Sequence, residues 1–284
     1  MPPAAPPIAS AKSSLTAPRG FRAAGGTCGI KPSGKPDLAL LAADAPCAAA
    51  GVFTRNRLPG AAVRIGKRHL ARARKTGGGV RAVVCNSGNA NVATGRRESQ
   101  DALAMCRAAA DALGCDPRQV LPASTGVIGR PLPIDRITDG VAALAGDLRR
   151  GPKADAGFAS GILTTDTRTK TAMRRVTLGA SRVTLGGATK GAAMIAPNMA
   201  TTLGFVTCDA KVAPDTWQAM LSEAASATYN RVSIDGDQST SDTIYALASG
   251  WVGGRTVSSV SGKSGALLRD ALTDLLRELA ESLI

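Results

Sequence analysis

Apolar positions repeat with the period of a helix in several stretches of the chain. The first such helix is predicted to begin behind Ser99 and to stop near Gly114. Others are predicted to open at Asp135, at the N-cap candidate Asp215, and over residues 264–284, where leucines and alanines form one broad stripe. Each of these helices has one apolar face, so each must pack against another layer.

Extended segments lie between the helices. Residues 79–86, GVRAVVCN, are rich in β-branched side chains and end at the polar turn SGNAN. Strand-like runs also surround Ile162 and Val183, whereas residues 146–160 are rich in glycine and charge and are predicted to form a surface connection. This interleaving predicts a mixed α/β protein whose helices cover sheet faces.

Both ends of the chain depart from this pattern. Residues 1–18 are rich in Pro, Ala and Ser and have no apolar h-region, so they are predicted to be a disordered tail and not a signal peptide. The last helix reaches Ile284 without a Gly, Asn or Pro stop. We therefore expect a chain that is cut short, with the C-terminal part of its domain missing.

Composition excludes several classes of protein. The 284 residues are 44% hydrophobic but only 3% aromatic, which predicts a core of small aliphatic side chains. The net charge of +14 would attract nucleic acid, yet the basic run from Lys67 to Lys75 has no aromatic residue and is better explained as a solvated helix face. The six cysteines form no C-x-x-C pair, so neither a metal site nor disulfides are expected, and a reducing compartment is predicted. No apolar run reaches the ~18 residues of a membrane span.

The single histidine limits the candidate chemistry. His69 lies in the basic, solvated run, which argues against a Ser-His-Asp or Cys-His triad. The glycine-rich segments lack phosphate-loop spacing, and residues 235–242 lack the closing Glu of a calcium loop. What remains is a threonine freed as an N-terminus, whose α-amine, with a pKa of ~7.7–8, activates its own hydroxyl without histidine.

Residues 190–205, KGAAMIAPNMATTLGF, offer such a threonine. Thr201 follows Ala200, whose small side chain leaves room for the threonine hydroxyl to attack the preceding carbonyl. An N-to-O shift would form an ester, and water would complete the break in the chain. The sequence thus indicates self-cleavage as the step that creates the nucleophile.

The same stretch resembles the processing segment of the ornithine acetyltransferase family, the bifunctional glutamate N-acetyltransferases of arginine biosynthesis. The family pattern K-G-x-G-M-I-x-P-x-M-A-T-M-L differs here at Ala193 and Thr202, and Ser241 replaces an Asn of the family. Similar motifs occur in the family's order over nearly the whole chain from Pro18. They are GFRAAG…GIKPSGKPDLAL, AAGVFTRN, NSGNAN, STGVIGRPLP, TTDT and DGDQSTSDT.

The resemblance implies cleavage between Ala200 and Thr201. Cleavage there would separate an α-chain region, residues 19–200, from the start of a β-chain region, residues 201–284, that begins with the nucleophile Thr201. The family continues past the last residue of this sequence with segments that supply a substrate-contacting Glu and a terminal Asn and Ser/Thr. The substrate pocket of this chain is therefore expected to be incomplete, which places its activity in question.

The resemblance also implies roles in the pocket. Thr125 and Gly126 match the pair that stabilises the oxyanion, through the threonine hydroxyl and a backbone N–H. Thr164 and Lys190 match substrate-binding positions, as does Thr201 itself. A tetrahedral intermediate develops negative charge, and a lysine suits a substrate carboxylate, so both pairs have a physical rationale.

The fold implied is a layered α/β sandwich of the N-terminal-nucleophile-like type, with two sheets between helical layers. The activity implied is ping-pong transfer of acetyl from N2-acetylornithine to glutamate by a cytoplasmic heterotetramer of two α and two β chains. No cofactor, metal, nucleic acid or membrane partner is expected, and acetyl-CoA stays open as a co-substrate. Two alternatives are a related N-terminal-nucleophile aminopeptidase and an inactive, uncleaved chain that serves as an assembly partner.

Overall fold

A computed structural model of the chain describes residues 14–194 and 202–284. Over these ranges eight strands are interleaved with six α-helices. The strands are β1 (Phe21–Gly26), β2 (Leu38–Phe53), β3 (Val80–Asn89), β4 (Val120–Val127), β5 (Lys170–Leu178), β6 (Ser181–Lys190), β7 (Leu203–Cys208) and β8 (Thr243–Ala248). The helices are α1 (Ala61–Thr76), α2 (Arg96–Leu113), α3 (Ile134–Gly146), α4 (Pro152–Gly161), α5 (Pro214–Ala227) and α6 (Lys263–Glu281).

The long strand β2 belongs to two sheets. Its first part pairs antiparallel with β1 and β3, and β4 then adds in parallel to β3. After a register shift between Ala42 and Cys47, its second part pairs with β8, which is followed by β7, β6 and β5. Pro46, which has no N–H to donate, lies within the shifted segment. The strand can therefore leave one sheet and enter the other.

Three clusters of buried side chains separate the layers. The middle cluster draws on both sheets, with Leu41 and Val83 from the first and Phe205 from the second. The Tyr245 hydroxyl on β8 donates to the Pro122 carbonyl oxygen on β4 at 3.0 Å, which links the sheets directly. Helices α2 and α3 cover the outer face of the first sheet, and α5 and α6 cover that of the second. The predicted layered α/β sandwich is confirmed.

All four predicted helices exist, with shifted starts. Helix α2 ends at Gly114, which adopts the left-handed conformation expected of a helix stop. It begins at Arg96 and not behind Ser99, because its first turn is polar and carries no apolar periodicity. Asp215 lies in the first turn of α5, whereas Ala213 occupies the N-cap. Helices α3 and α6 confirm the other two predictions.

The surface connection predicted for residues 146–160 is wrong in its second half, which forms α4. Phe158 of this helix is fully buried and packs edge-on against Phe205, with ring centroids 5.1 Å apart. A Cβ added to Gly25 on β1 would lie 2.0 Å from the Gly157 carbonyl oxygen. On the helix itself, a Cβ added to Gly161 would lie 2.3 Å from the Leu38 carbonyl oxygen on β2. Glycines on both sides thus let the helix approach the sheet, and those of the helix leave it without the apolar stripe that would have revealed it. The strand predicted around Ile162 is also wrong, since this residue follows α4.

The predicted N-terminal tail is wrong for residues 14–18, whereas residues 1–13 lie outside the described ranges. The backbone N–H groups of Ser14 and Thr16 donate to the Asp155 carboxylate at 2.6 and 2.8 Å. Leu15 is fully buried, and its carbonyl oxygen accepts a hydrogen bond of 2.6 Å from the Thr207 hydroxyl. The partners are more than a hundred positions away, so composition alone could not reveal them.

Helix α1 has two different faces. The basic side chains of residues 67–75 lie on its exposed face, as predicted. His69 is buried, contrary to the prediction, because it lies on the opposite face with Nδ1 2.8 Å from the Val120 carbonyl oxygen. Burial lowers the pKa of this imidazole. Across the described ranges, none of the helices combines the length and apolarity needed to cross a bilayer.

Candidate active site

A pocket of about 610 Å³ opens where β4 and β6 end. Its walls include Thr125, Gly126, Thr164 and Lys190, so the structure brings together the four pocket residues that the sequence predicted. No Asp or Glu belongs to the part of the pocket lining that the structure describes. The other walls are formed by residues 31–33, 127–128, 193–194 and 239–241, together with Gly88, Ala90 and Thr165.

The end of β4 presents Thr125 and Gly126 to the pocket. Thr125 is buried, and Gly126 adopts a φ of 130°, in the left-handed region that favours glycine. A Cβ at position 126 would lie 2.3 Å from the carbonyl carbon of Gly88 on β3 and 2.5 Å from the backbone nitrogen of Asn89. Only glycine fits this approach. Thr125 and Gly126 are consecutive residues of the pocket wall, so this segment carries a hydroxyl and a backbone N–H, the two kinds of donor that an oxyanion site uses.

The end of β3 and the segment that follows it are held by asparagines. The Asn86 amide group donates to the Asn89 carbonyl oxygen at 2.8 Å, and the Asn91 amide group donates to the Glu98 carbonyl oxygen at 2.8 Å. The Asn89 amide group in turn donates to the carbonyl oxygens of residues 130 and 131 at 3.0 and 3.1 Å. These side chains satisfy backbone carbonyls and so fix the wall that carries Gly88.

A buried ion pair supports the opposite wall. The side chains of Asp166 and Lys170 are 0% and 6% exposed and form a short, charge-assisted hydrogen bond. The Asp166 carboxylate also accepts the backbone N–H groups of Gly191 at 2.8 Å and Thr164 at 3.3 Å. Although burial opposes ionisation, hydrogen bonds from Lys170 and the backbone hold the pKa of Asp166 below its usual value. One carboxylate therefore holds both the residue that follows Lys190 and Thr164, whose hydroxyl lies beside the lysine.

Lys190 is a buried cation at the end of β6. Its side chain is 1% exposed, and its Nζ donates to the Thr164 hydroxyl at 3.4 Å. Burial lowers the pKa of this lysine, while the charges of Asp166 and Asp242 oppose the change. A ligand carboxylate would supply a counter-charge to an ammonium group that the protein has largely removed from water.

The predicted cleavage residues Ala200 and Thr201 lie outside the described residues. The next residue, Thr202, is buried, and its backbone N–H donates to Asp242 Oδ1 at 2.8 Å. The Thr202 carbonyl oxygen accepts the backbone N–H of Thr243 at 3.0 Å. In the antiparallel pairing of β6 with β7, Lys190 lies opposite Leu203, so β7 begins beside the pocket lysine.

The departures from the family pattern are accommodated. Ala193 lines the pocket without a positive φ, so the glycine of the family pattern is not needed for conformational freedom here. Ser241 is buried in the pocket wall, where its backbone N–H donates to the Ser239 hydroxyl at 3.1 Å. Met194 has a φ of 61°, and its N–H is held by the Asp235 carboxylate.

Several site residues escaped the sequence reasoning. Lys31 lines the pocket, and the Asp166–Lys170 pair supports it, yet none of them stood out by spacing. The motifs GIKPSGKPDLAL and TTDT contain Lys31 and Asp166, so the available signal was the motif and not the individual residue. The described residues hold no cluster of three or more His, Cys, Asp or Glu side chains that could bind a metal ion. All six cysteines are free, and four are buried.

Comparison with known proteins gives a consistent family. The sequence profile of the ArgJ family matches residues 22–284. The arginine biosynthesis bifunctional protein ArgJ of Symbiobacterium thermophilum is 45% identical over 271 residues, which cover 95% of this chain and 65% of the relative. The chain thus spans about 65% of the length of that curated relative.

Solved structures agree on the fold. An ornithine acetyltransferase from Mycobacterium tuberculosis, solved in complex with ornithine, is 39% identical with a TM-score of 0.57, and the match covers 65% of this chain and 95% of that one. The L-aminopeptidase D-Ala-esterase/amidase of Ochrobactrum anthropi, described as a variant of the Ntn hydrolase fold, has a TM-score of 0.60 at 13% identity. That match covers 98% of this chain and 88% of the aminopeptidase, and at such low identity it supports the fold alone.

Proposed function

Because the chain belongs to the ArgJ family, we propose that it is a self-cleaving acyltransferase that moves acetyl from N2-acetylornithine to glutamate. The observation that carries the proposal is the pocket that gathers Thr125, Gly126, Thr164 and Lys190. These residues come from three separate parts of the chain, so their convergence is a property of the fold.

The proposed cycle begins with cleavage before Thr201. Its hydroxyl attacks the Ala200 carbonyl carbon, the peptide bond becomes an ester, and water hydrolyses that ester to leave Thr201 with a free α-amine. The amine then removes the hydroxyl proton as the oxygen attacks the acetyl carbonyl of the donor. Ornithine leaves with a proton on its α-nitrogen, and the acetyl group remains as an ester on Thr201.

Glutamate completes the cycle. Its α-amine attacks the acetyl ester, and the threonine oxygen recovers a proton as N-acetylglutamate leaves. In both halves the carbonyl oxygen becomes negatively charged, and the Thr125 hydroxyl and the Gly126 N–H would stabilise it. Each such donor lowers the barrier by roughly 2.7–4 kcal/mol in a water-poor site. Lys190 would bind a substrate carboxylate beside Thr164.

The cellular context is part of the same proposal. The family resemblance supports a heterotetramer of two α and two β chains, with residues 19–200 and 201–284 as the corresponding regions. It also supports a cytoplasmic location and a reaction without a cofactor, in which acetyl-CoA could serve as a second donor. The aminopeptidase alternative has weaker support, since the similarity at 13% identity extends only to the fold.

Intact-mass measurement tests self-cleavage. We expect the purified chain to give two fragments that meet at Ala200 and Thr201, and Thr201→Ala to remain whole. Thr202→Ala is the matched control, because it alters the adjacent threonine and keeps the backbone N–H that Asp242 accepts; it should still be cleaved. A single uncut species for the unaltered chain would contradict self-cleavage and favour the uncleaved assembly partner.

Release of ornithine from N2-acetylornithine in the presence of glutamate then tests acetyl transfer. Formation of N-acetylglutamate in step with ornithine is the expected result. Release of amino acids from small peptides, with N2-acetylornithine untouched, would instead favour the aminopeptidase alternative.

A further inference from the structure

Lys31 places a second lysine in the wall of the pocket. It lies in the loop between β1 and β2, far in sequence from Lys190. Its Nζ donates to the Leu163 carbonyl oxygen at 2.7 Å and to the Pro36 carbonyl oxygen. Two of its three N–H bonds are thus used to hold the head group in place, and one remains for a ligand.

The loop that carries Lys31 is fixed by a buried carboxylate. Asp37 is fully buried and accepts the backbone N–H groups of Cys28 at 2.7 Å, Ile30 at 2.7 Å and Lys31 at 3.0 Å. These backbone bonds occupy Asp37, and Lys31 forms no ion pair with a described residue. Partial burial is the main reason that the pKa of Lys31 is lowered. The nearby charges of Asp37 and Asp166 oppose this change. The cation is therefore positioned before any ligand arrives, and no described carboxylate pairs with it directly.

The two lysines of the pocket are anchored to neighbouring residues. Lys31 binds the carbonyl oxygen of Leu163, and Lys190 binds the hydroxyl of Thr164. Since consecutive Cα atoms lie ~3.8 Å apart, both ammonium groups flank one short stretch of chain. The described lining holds no acidic side chain, although the charges of Asp166 and Asp242 act on Lys190 and those of Asp37 and Asp166 act on Lys31. A small ligand with two negative groups would satisfy both cations at once.

We propose that Lys31 and Lys190 bind a dicarboxylic amino acid, each lysine binding one carboxylate. Lys31 thereby selects an acetyl acceptor whose side chain is negatively charged. The identity of the acceptor as glutamate rests on the proposed function. An amino acid with a neutral side chain leaves one partly desolvated ammonium without a ligand carboxylate, which weakens binding.

Calorimetric titration of the purified chain with L-glutamate and with L-glutamine tests this selection. The two ligands have nearly the same shape and differ in the side-chain charge. We expect glutamate to bind at least about tenfold more tightly, and Lys31→Met to lose about 10- to 100-fold in glutamate affinity while glutamine changes little. Lys31→Arg should keep the preference. Lys35→Met is the matched control, because it removes the same charge from an exposed position of the same loop and should change the glutamate affinity far less than Lys31→Met does.

Some results would overturn the inference. Equal loss of glutamate and glutamine in Lys31→Met would show that Lys31 does not recognise the side-chain carboxylate, and an unaltered chain without a preference for glutamate would also refute it. Circular dichroism checks folding, and Lys31→Gln, which retains an N–H donor for the loop carbonyls, replaces the methionine variant if that variant unfolds. Binding requires no acetyl transfer. A chain that prefers glutamate through Lys31 but transfers no acetyl would therefore refute the proposed function alone.

Discussion

The buried Asp166–Lys170 pair lends itself to a quantitative test, because both side chains are almost inaccessible and both touch the backbone beside the pocket. The Lys170 Nζ donates to the Gly191 carbonyl oxygen at 3.0 Å as well as to Asp166. Lys170→Met keeps much of the volume and removes the charge. Asp166 would then be left as a buried carboxylate with only backbone donors, those of Gly191 and Thr164.

The expected cost follows from burial. Loss of one partner of a buried pair typically destabilises a protein by about 3–5 kcal/mol, whereas an exposed pair contributes about 0–1 kcal/mol. Two retained N–H bonds to Asp166 place our expectation near the lower end, at about 3 kcal/mol. A protein of ordinary stability has only about 5–15 kcal/mol in total, so the effect should be plain. Adding Asp166→Asn should recover part of the loss, since an amide oxygen still accepts the Gly191 N–H without carrying charge.

Urea unfolding, followed by circular dichroism in the Thr201→Ala background to exclude cleavage, measures this difference. Arg174→Met is the matched control, because Arg174 pairs with Glu278 on the surface, with side chains 35% and 47% exposed. It should cost less than about 1 kcal/mol. Equal losses for Lys170→Met and Arg174→Met would refute the argument from burial.

Acidity gives the same pair a second signature. The pKa of Asp166 is lower in the folded chain than its ordinary value of 3.8. A depressed pKa contributes stability that is present above the unfolded-state pKa, about 3.9, and is lost as the pH falls through the lower folded-state pKa. The stability difference between the unaltered chain and Lys170→Met should therefore shrink as the solution is acidified below about pH 4. A difference that is constant with pH would contradict the assigned ionisation.

Three further predictions concern the pocket itself. Thr125→Ala should slow acetyl transfer by roughly 10²–10³-fold, because it removes a proposed oxyanion donor. Ser124 is the buried neighbour of Thr125, and Ser124→Ala should alter the rate far less. Equal effects of the two substitutions on initial rates would contradict the assignment. Gly126→Ala should destabilise the chain in urea by more than Gly129→Ala, because both glycines have positive φ but only at 126 would the new Cβ lie 2.3 Å from another backbone atom. The affinity for glutamate should be highest where Lys190 is protonated, and it should fall as the pH rises through the lowered pKa of this lysine. Calorimetry over a pH series measures the change. The same fall in affinity for Lys190→Met would exclude Lys190 as the cause.

Local signals determined much of the fold. The repeat of apolar residues in α2 and α6 and the β-branched run of β3 are properties of adjacent residues, so they can be recognised without the structure. The motifs also predicted which residues share a pocket, since its lining includes Thr125, Gly126, Thr164 and Lys190. Their catalytic roles, like the cleavage at Thr201, remain predictions.

Other features depended on contacts that leave no local trace. The first described residues are buried because Asp155, some 140 positions later, accepts their N–H groups, and His69 is buried because its face of α1 meets Val120. Helix α4 was concealed by the glycines that let it approach the sheet.

The division between sequence and structure has one physical reason. Periodicity and turn chemistry act over a few residues, and the sequence by itself therefore determined the strongly periodic helices, the mixed α/β class and the motifs of this protein. The charge environment of a site is the sum of contacts between distant segments. Only the tertiary structure could decide that Lys31, held by a carbonyl 132 positions away, stands as a second cation beside Lys190 in a pocket whose described lining has no acid.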